Sequence, residues 1–312
     1  MKGDYEAAEQ LLQEALAMQQ TLWQGDHPDI ANTLTHLSYL TGELSDDPST
    51  KRLRRESLAM RRRLWGDEHP AVAQALNDLA SHLSGKEIYN AEAEALHREA
   101  LAIRRKVIGP KTMPVAISLS NLGIVLQNKG DFETAERLQR ESVAIRKAIV
   151  GETHPTLAIG LGKLAFVLLR KGAYEEAAEQ YRDALRIYRI VYPKGNLRIA
   201  RVLTEWGEIH IAQGRPKEAE AMLREALDFY MGHYGDQHWR TAWAKSLLGA
   251  CLTQQARYAE AEPMLQDALP HLRDVYGPTH LLTRKTHQHL ADLYEAWGKP
   301  EQAKAYRGEA GP

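Results

Sequence analysis

The chain has 312 residues, 44% of them apolar, which is enough for two ordinary globular domains or one elongated array. Its 40 Lys and Arg nearly cancel its 41 Asp and Glu, so no overall basic excess points to nucleic acid or an anionic membrane. One cysteine, Cys251, excludes an intrachain disulfide framework and fits a reducing, cytoplasmic setting, and the chain has no signal-peptide core and no unbroken apolar run long enough to span a bilayer.

Helix formers dominate from the start. "GDYEAAEQLLQEALAM" (Gly3 to Met18) reads as a helix without the partner that later units supply, so Leu11, Leu12 and Leu16 are expected to lack one side of their packing. A corner at His27-Pro28 opens the next helix, in "LWQGDHPDIANTLTHLS" (Leu22 to Ser38). It returns at His69-Pro70 and His154-Pro155, and is varied at Met113-Pro114, Asn196-Leu197, His238-Trp239 and His280-Leu281. Proline in a first helical turn loses nothing, because that N–H has no intrahelical partner anyway. It also keeps the preceding residue out of the helical region. After the third corner, Leu119, Leu122, Gly123 and Leu126 form the i, i+3, i+4, i+7 stripe of an amphipathic helix. Turns such as "NKGDF" (Asn128 to Phe132) and "RKGAY" (Arg170 to Tyr174) follow, with glycine where a helix end calls for positive φ. A second helix then runs through "ETAERLQRESVAIRKAIV" to Gly151. The final unit ends in "KPEQAKAYRGEAGP", a shortened second helix suited to a polar cap.

These elements keep a period. The acidic markers Glu14, Glu56, Glu99, Glu141, Asp183, Glu225 and Asp267 are 42 residues apart, with a single step of 43. Ahead of each marker lies a small residue (Ala8, Thr50, Ala93, Ala135, Ala177, Ala219, Ala261, then Ala303). Behind each lies another (Ser38, Ala80, Gly123, Ala165, Gly207, Gly249, Ala291). Two such columns let paired helices approach closely, as a stacked array requires. The expected fold is all-α: a right-handed α-solenoid superhelix of stacked antiparallel helix pairs. One array of about seven 42-residue repeats is expected to fill residues 1–312, as part of a longer or trimmed protein.

The motifs "GDYEAAEQLLQEALAM", "GDEHPAVAQALNDLA" (Gly66 to Ala80) and "GAYEEAAEQYRDALRIY" (Gly172 to Tyr188) resemble the tetratricopeptide repeat, in the 42-residue form of kinesin light chains. The resemblance covers nearly the whole chain. It implies a non-enzymatic module that holds a protein or peptide segment in a concave groove lined by the first helix of each pair. A sensor or scaffold arm of a larger signalling protein is the alternative it allows. Kinesin light chains also imply short ligands that combine an aromatic residue with acids.

Helical spacing assigns the groove stripe. Asn32, Thr35, His36 and Tyr39 fall on it, then Gln74, Asn77, Asp78 and Ser81. Later units contribute Ile117, Ser120, Asn121 and Ile124; Ile159, Gly162, Lys163, Phe166 and Arg170; and Arg201, Thr204, Glu205 and Glu208. Apolar residues on a solvent-facing stripe, rimmed by amides and cations, have the look of a partner site. The candidate contacts are therefore Asn77, Ile117, Ser120, Asn121, Ile124, Ile159, Lys163, Phe166, Arg170 and Arg201.

Other chemistry is weak. "GLGKLA" (Gly160 to Ala165) lacks the spacing of a phosphate loop and follows no strand. His280, His287 and His289 form the nearest approach to a metal cluster, but read as solvated residues of a terminal helix. Cys251 reads as a small core residue. No cofactor, metal, nucleic acid or membrane is implied. Second helices carry a basic column (Arg61-Arg62-Arg63, Arg104-Arg105-Lys106, Arg146-Lys147, Arg189). It reads either as a solvated outer face or as an anion-attracting stripe.

Overall fold

The computed structural model describes the backbone of residues 2–44, 48–84, 89–193 and 195–310, and side chains of residues 7–41, 49–84, 89–193 and 195–308. Helix α1 (Lys2–Trp23) precedes seven pairs: α2 (Pro28–Leu44) with α3 (Pro48–Trp65), α4 (Pro70–Leu83) with α5 (Ala91–Ile108), α6 (Met113–Lys129) with α7 (Phe132–Val150), α8 (Pro155–Lys171) with α9 (Tyr174–Val191), α10 (Leu197–Ala212) with α11 (Pro216–Tyr234), α12 (Trp239–Gln254) with α13 (Tyr258–Tyr276), and α14 (Leu281–Ala296) with α15 (Pro300–Ala310). Among the described residues there is no strand. The chain is an all-α solenoid of stacked antiparallel helix pairs, divided into two compact units, Met1–Ile149 and Val150–Pro312.

The small-residue columns sit where the two helices of a pair meet. Ser38, Ala80, Ala165 and Ala291 are wholly buried, as are Thr50, Ala93, Ala135, Ala177, Ala219 and Ala261. A Cβ added at Gly249 would lie 2.5 Å from Leu265 Cγ, and one at Gly207 2.8 Å from Leu223 Cγ, so neither position has room for a side chain. Around these columns lie apolar layers. In the first unit Ile30, Leu34 and Leu37 pack with Leu53 and Met60, and Val72, Leu76 and Leu79 with Leu58 and Ile103. Leu12 and Leu16 of α1 join the first layer, so of the three leucines expected to lack packing only Leu11 is exposed, along a stripe with Met18 and Leu22.

The corners hold more than a proline. At His69, His154, His238 and His280 the imidazole Nδ1 accepts the backbone N–H two residues on, capping the helix start. His27 Nδ1 does the same for Asp29 N–H at 3.2 Å. Four of these rings also stack on the aromatic residue four positions earlier: Trp23–His27, Trp65–His69, Tyr234–His238 and Tyr276–His280. The expected glycine ends are present. Gly130 has φ +90°, and the following N–H, of Asp131, donates back to Leu126 O at 2.9 Å.

The basic column divides in two. Arg61, Arg104 and Arg146, expected outside, are buried at 7%, 4% and 3% exposure. The Arg104 guanidinium crosses its pair to donate to Pro114 O, Ser118 Oγ and Gln74 Oε1. Arg62 and Arg105, one position on, lie outside together with Arg189, each against an acidic marker of the next repeat. Arg62 meets Glu99, Arg105 meets Glu141 and Arg189 meets Glu225. On these three rungs the cations are matched by carboxylates rather than left open to an anion.

Candidate functional site

The leading helices of the pairs carry the groove stripe. In the second unit α8 touches α10, α10 touches α12, and α12 touches α14. Lys285 on α14 forms an ion pair with Glu208 on α10, reaching across α12 to a helix two pairs away. A face on which residues so far apart meet is concave.

Phe166, Ile159, Lys163 and Arg170 on α8 are all partly exposed. They lie on α8 at spacings of three or four residues, a turn apart on one side of the helix. Arg201 on α10 is half-exposed and donates through Nε to Glu205 Oε1 at 2.8 Å. That carboxylate raises the guanidinium above its ordinary pKa, and neighbouring Tyr181 and Tyr188 act in the same direction. Glu205 is 14% exposed but Arg201 53%, so water partly screens the pair. Burial pushes Tyr188 up to about 12.

Further residues complete this face. Trp243 on α12 lies against the His289 ring on α14 at 6.2 Å, and His289 Nδ1 shares a hydrogen bond with Ser246 Oγ at 3.0 Å. Burial, with Lys285 nearby, drives His289 down to about 4. The period could have found two of these residues. Stepping 42 from Arg201 gives Trp243, and another 42 gives Lys285.

In the first unit the structure joins Asn121 to Asn77, whose Oδ1 accepts the Asn121 amide at 3.0 Å. Ile117 is exposed and Ile124 partly so, both on α6. Ser120 is a correction. It is wholly buried, its hydroxyl donates to Gln139 Oε1 at 2.8 Å, and its carbonyl accepts from Gln139 Nε2 at 2.9 Å. Its place in the stripe tilts toward α7, where a polar side chain without a partner would be costly, and it offers nothing to a ligand.

The three histidines also depart from their sequence reading. His280 caps α14, His287 is buried, and His289 belongs to the Trp243 cluster. Among the described residues no group of His, Cys, Asp or Glu is placed to hold a metal ion. "GLGKLA" lies inside α8. Cys251 is fully buried, donates to Pro216 O at 2.9 Å, and is pushed up to about 11 by burial. Among the described residues no helix is long and apolar enough to cross a membrane.

A solenoid of helix pairs with close-packed small-residue columns defines a class of repeat scaffold. The chain belongs to the tetratricopeptide repeat family, whose signature matches residues 1–29, 90–148, 114–190, 198–274 and 240–310. Such repeats generally mediate protein interactions. No curated protein matches the sequence. Among solved structures the chain is similar to TPR-like repeats from a kinesin-light-chain-type protein of Podosopora anserina, at 20% identity and a TM-score of 0.54, covering 67% of this chain and 98% of that one. It is similar to BtubC (BKLC) of P. vanneervenii at 23% identity and a TM-score of 0.55, covering 73% and 89%. The apo quorum sensor NprR of B. thuringiensis matches at 17% identity and a TM-score of 0.69, covering 99% of this chain and 82% of that one. At these identities the likeness is one of fold.

Proposed function

We propose that the protein is a non-enzymatic interaction module whose leading-helix face captures an extended or helical protein segment. The observation that carries this reading is the concave face of the second unit, where Phe166 and Ile159 stand partly exposed beside Lys163, Arg170 and Arg201. Phe166 anchors an apolar side chain, while the three cations favour acidic ones. In the first unit Ile117 and Ile124 supply apolar contact, and Asn121 supplies an amide held in place by the buried Asn77. The ligand combines aromatic and acidic residues, and the protein acts in the cytoplasm. The alternative, a sensor or scaffold arm, rests on the likeness to the NprR quorum sensor. It predicts an adjoining effector domain in the full reading frame.

A pull-down with peptide mapping would identify the segment. Phe166→Ala combined with Lys163→Glu should then weaken binding by at least tenfold, since central anchors each contribute on the order of 2 kcal/mol, and helicity should be unchanged. Arg189→Ala, on the outer ladder, is the control and should bind normally. Loss of binding in the control with retention in the double variant would place the ligand on the opposite face.

A further inference from the structure

In the first unit, three guanidiniums gather around one carboxylate. Arg54 on α3 reaches the Asp78 backbone on α4, Arg61 on α3 reaches Ala71 O, also on α4, and Arg104 on α5 reaches Gln74, whose amide donates to Asp78 Oδ1 at 2.7 Å. None forms an ion pair with a carboxylate among the described residues. Arg61 donates to Asn32 Oδ1 at 3.0 Å and to Thr35 Oγ1 at 3.2 Å, Arg54 to the Asp78 carbonyl at 2.6 Å, and Arg104 to neutral oxygens only. Arg61 Nε and Arg54 Nε are buried without a hydrogen-bond partner. The nearby carboxylates are committed elsewhere, Glu92 to Lys51 and Arg55, and Glu99 to Arg62. Burial lowers the pKa of all three arginines, which marks the cost of holding these charges out of water.

Buried charges are ordinarily paired, because an unmatched one is expensive. Here three cations against Asp78 leave two positive charges unmatched. The guanidiniums end just beneath exposed groups, Arg61 under Asn32 and Arg104 under Gln74, while Arg54 lies over the exposed Tyr39 ring at 4.9 Å. Charge beneath a surface of amide and hydroxyl groups projects a positive field outward, weakly screened by water.

We propose that this face of α2 and α4 is a recognition site for a phosphorylated peptide segment, with the phosphate seated over Asn32, Gln74 and Arg54. A phosphate monoester carries about −1.5 to −2 charges near neutral pH, which matches the unpaired excess. A single carboxylate would leave half of it. Forked guanidinium and amide donors suit phosphate oxygens. The site is confined to the first unit and does not depend on the Phe166 face.

The test uses the full chain, immobilised, and three peptide pools of one randomised design: with central phosphoserine, with serine, and with glutamate. Retention of the phosphoserine pool should exceed that of the other two by at least tenfold and fall steeply with salt. Arg54→Gln should remove most of the preference. Asp78→Asn should strengthen it several-fold, a gain that a purely structural role for the cluster would not produce. Phe166→Ala should leave it unchanged, so this proposal and the groove reading fail separately. Equal retention of the glutamate pool would overturn the phosphate assignment and make the face a general acid-binding one. Equal retention of the serine pool, or an unchanged preference in both variants at this cluster, would remove the site altogether. Competition by inorganic phosphate alone at millimolar concentration, with no added contribution from flanking peptide, would also overturn peptide recognition.

Discussion

Ala256 stands in a left-handed conformation, φ 57°, at a position where the neighbouring repeats carry Gly130, Gly172, Gly214 and Gly298. Its turn makes the same closing bond, from Arg257 N–H to Leu252 O at 3.0 Å, so the helix end has kept its geometry while accepting a Cβ that strains it. A non-glycine residue pays roughly 1–2 kcal/mol there, partly offset by the greater freedom glycine loses on folding. Ala256→Gly should therefore raise the melting temperature, with a gain of about 1 kcal/mol or less. An unchanged or lower value would mean that the methyl group packs usefully. The arginines make the complementary point. Arg62 on the outer ladder is partly exposed and salt-bridged to Glu99, so Arg62→Ala should change stability by no more than about 0.5 kcal/mol. Arg104→Glu, which buries an acid among carbonyl oxygens, should cost about 3 kcal/mol or more by urea titration. Sequence periodicity placed both on one column. It could not show that the first of each basic pair turns inward, because arginine's long apolar stem lets either side of a helix accept it.

At the scale of the helix, the close approach of α6 and α7 shows why spacing alone revealed so much. A Cβ on Gly123 would stand 2.7 Å from Gln139 Nε2, and that amide cannot swing away without giving up both of its bonds to Ser120. Gly123→Leu should consequently cost about 3 kcal/mol, at the upper end for overpacking. A melting temperature equal to that of Arg62→Ala would show the helix faces to be misassigned. Helix stripes, corners and small-residue columns were all readable, since each recurs with the same physical cause in every repeat. Ser120 was misplaced because a stripe drawn at ideal spacing has two edges, and its edge residues face the partner helix. The capping role of the corner histidines also escaped notice. Proline explained the corner well enough to hide the imidazole acceptor beside it.

Across the whole molecule, acidification should act through histidines that burial keeps neutral, the corner His238 and the α14 residue His289. Burial lowers His238 and brings His289 down to about 4, below the ordinary imidazole value of about 6.5. The unfolded chain therefore takes up protons at these sites first, so the stability they provide is complete above that ordinary value and is lost as pH falls toward 4. His238 Nδ1 can cap only while unprotonated, which reinforces the trend. Urea midpoints measured at pH 7 and pH 4 should fall by an amount equivalent to about 2 kcal/mol, and His289→Asn should flatten part of the slope. A midpoint independent of pH would refute the account. The candidate site was less legible than the fold. Its second-unit half followed from the period as far as Arg201, but Trp243 and Lys285 lay one and two steps further along the same column. The cluster around Asp78 joins side chains from α3, α4 and α5, which no single-helix pattern brings together.

The outer ladder also constrains how such a chain can change length. Each rung takes its cation from one repeat and its anion from the next, Arg62 with Glu99 and Arg105 with Glu141. Excising the segment from Arg63 through Arg105 would leave Arg62 facing Glu141, a partner of the same chemistry at nearly the same separation along the chain. Excising half as much would bring the stretch around Ser120 and Asn121, which holds no carboxylate, to the place of Glu99. The chain can therefore gain or lose whole periods with its rungs still paired, whereas any other cut leaves cations without partners on one side of the break and carboxylates on the other.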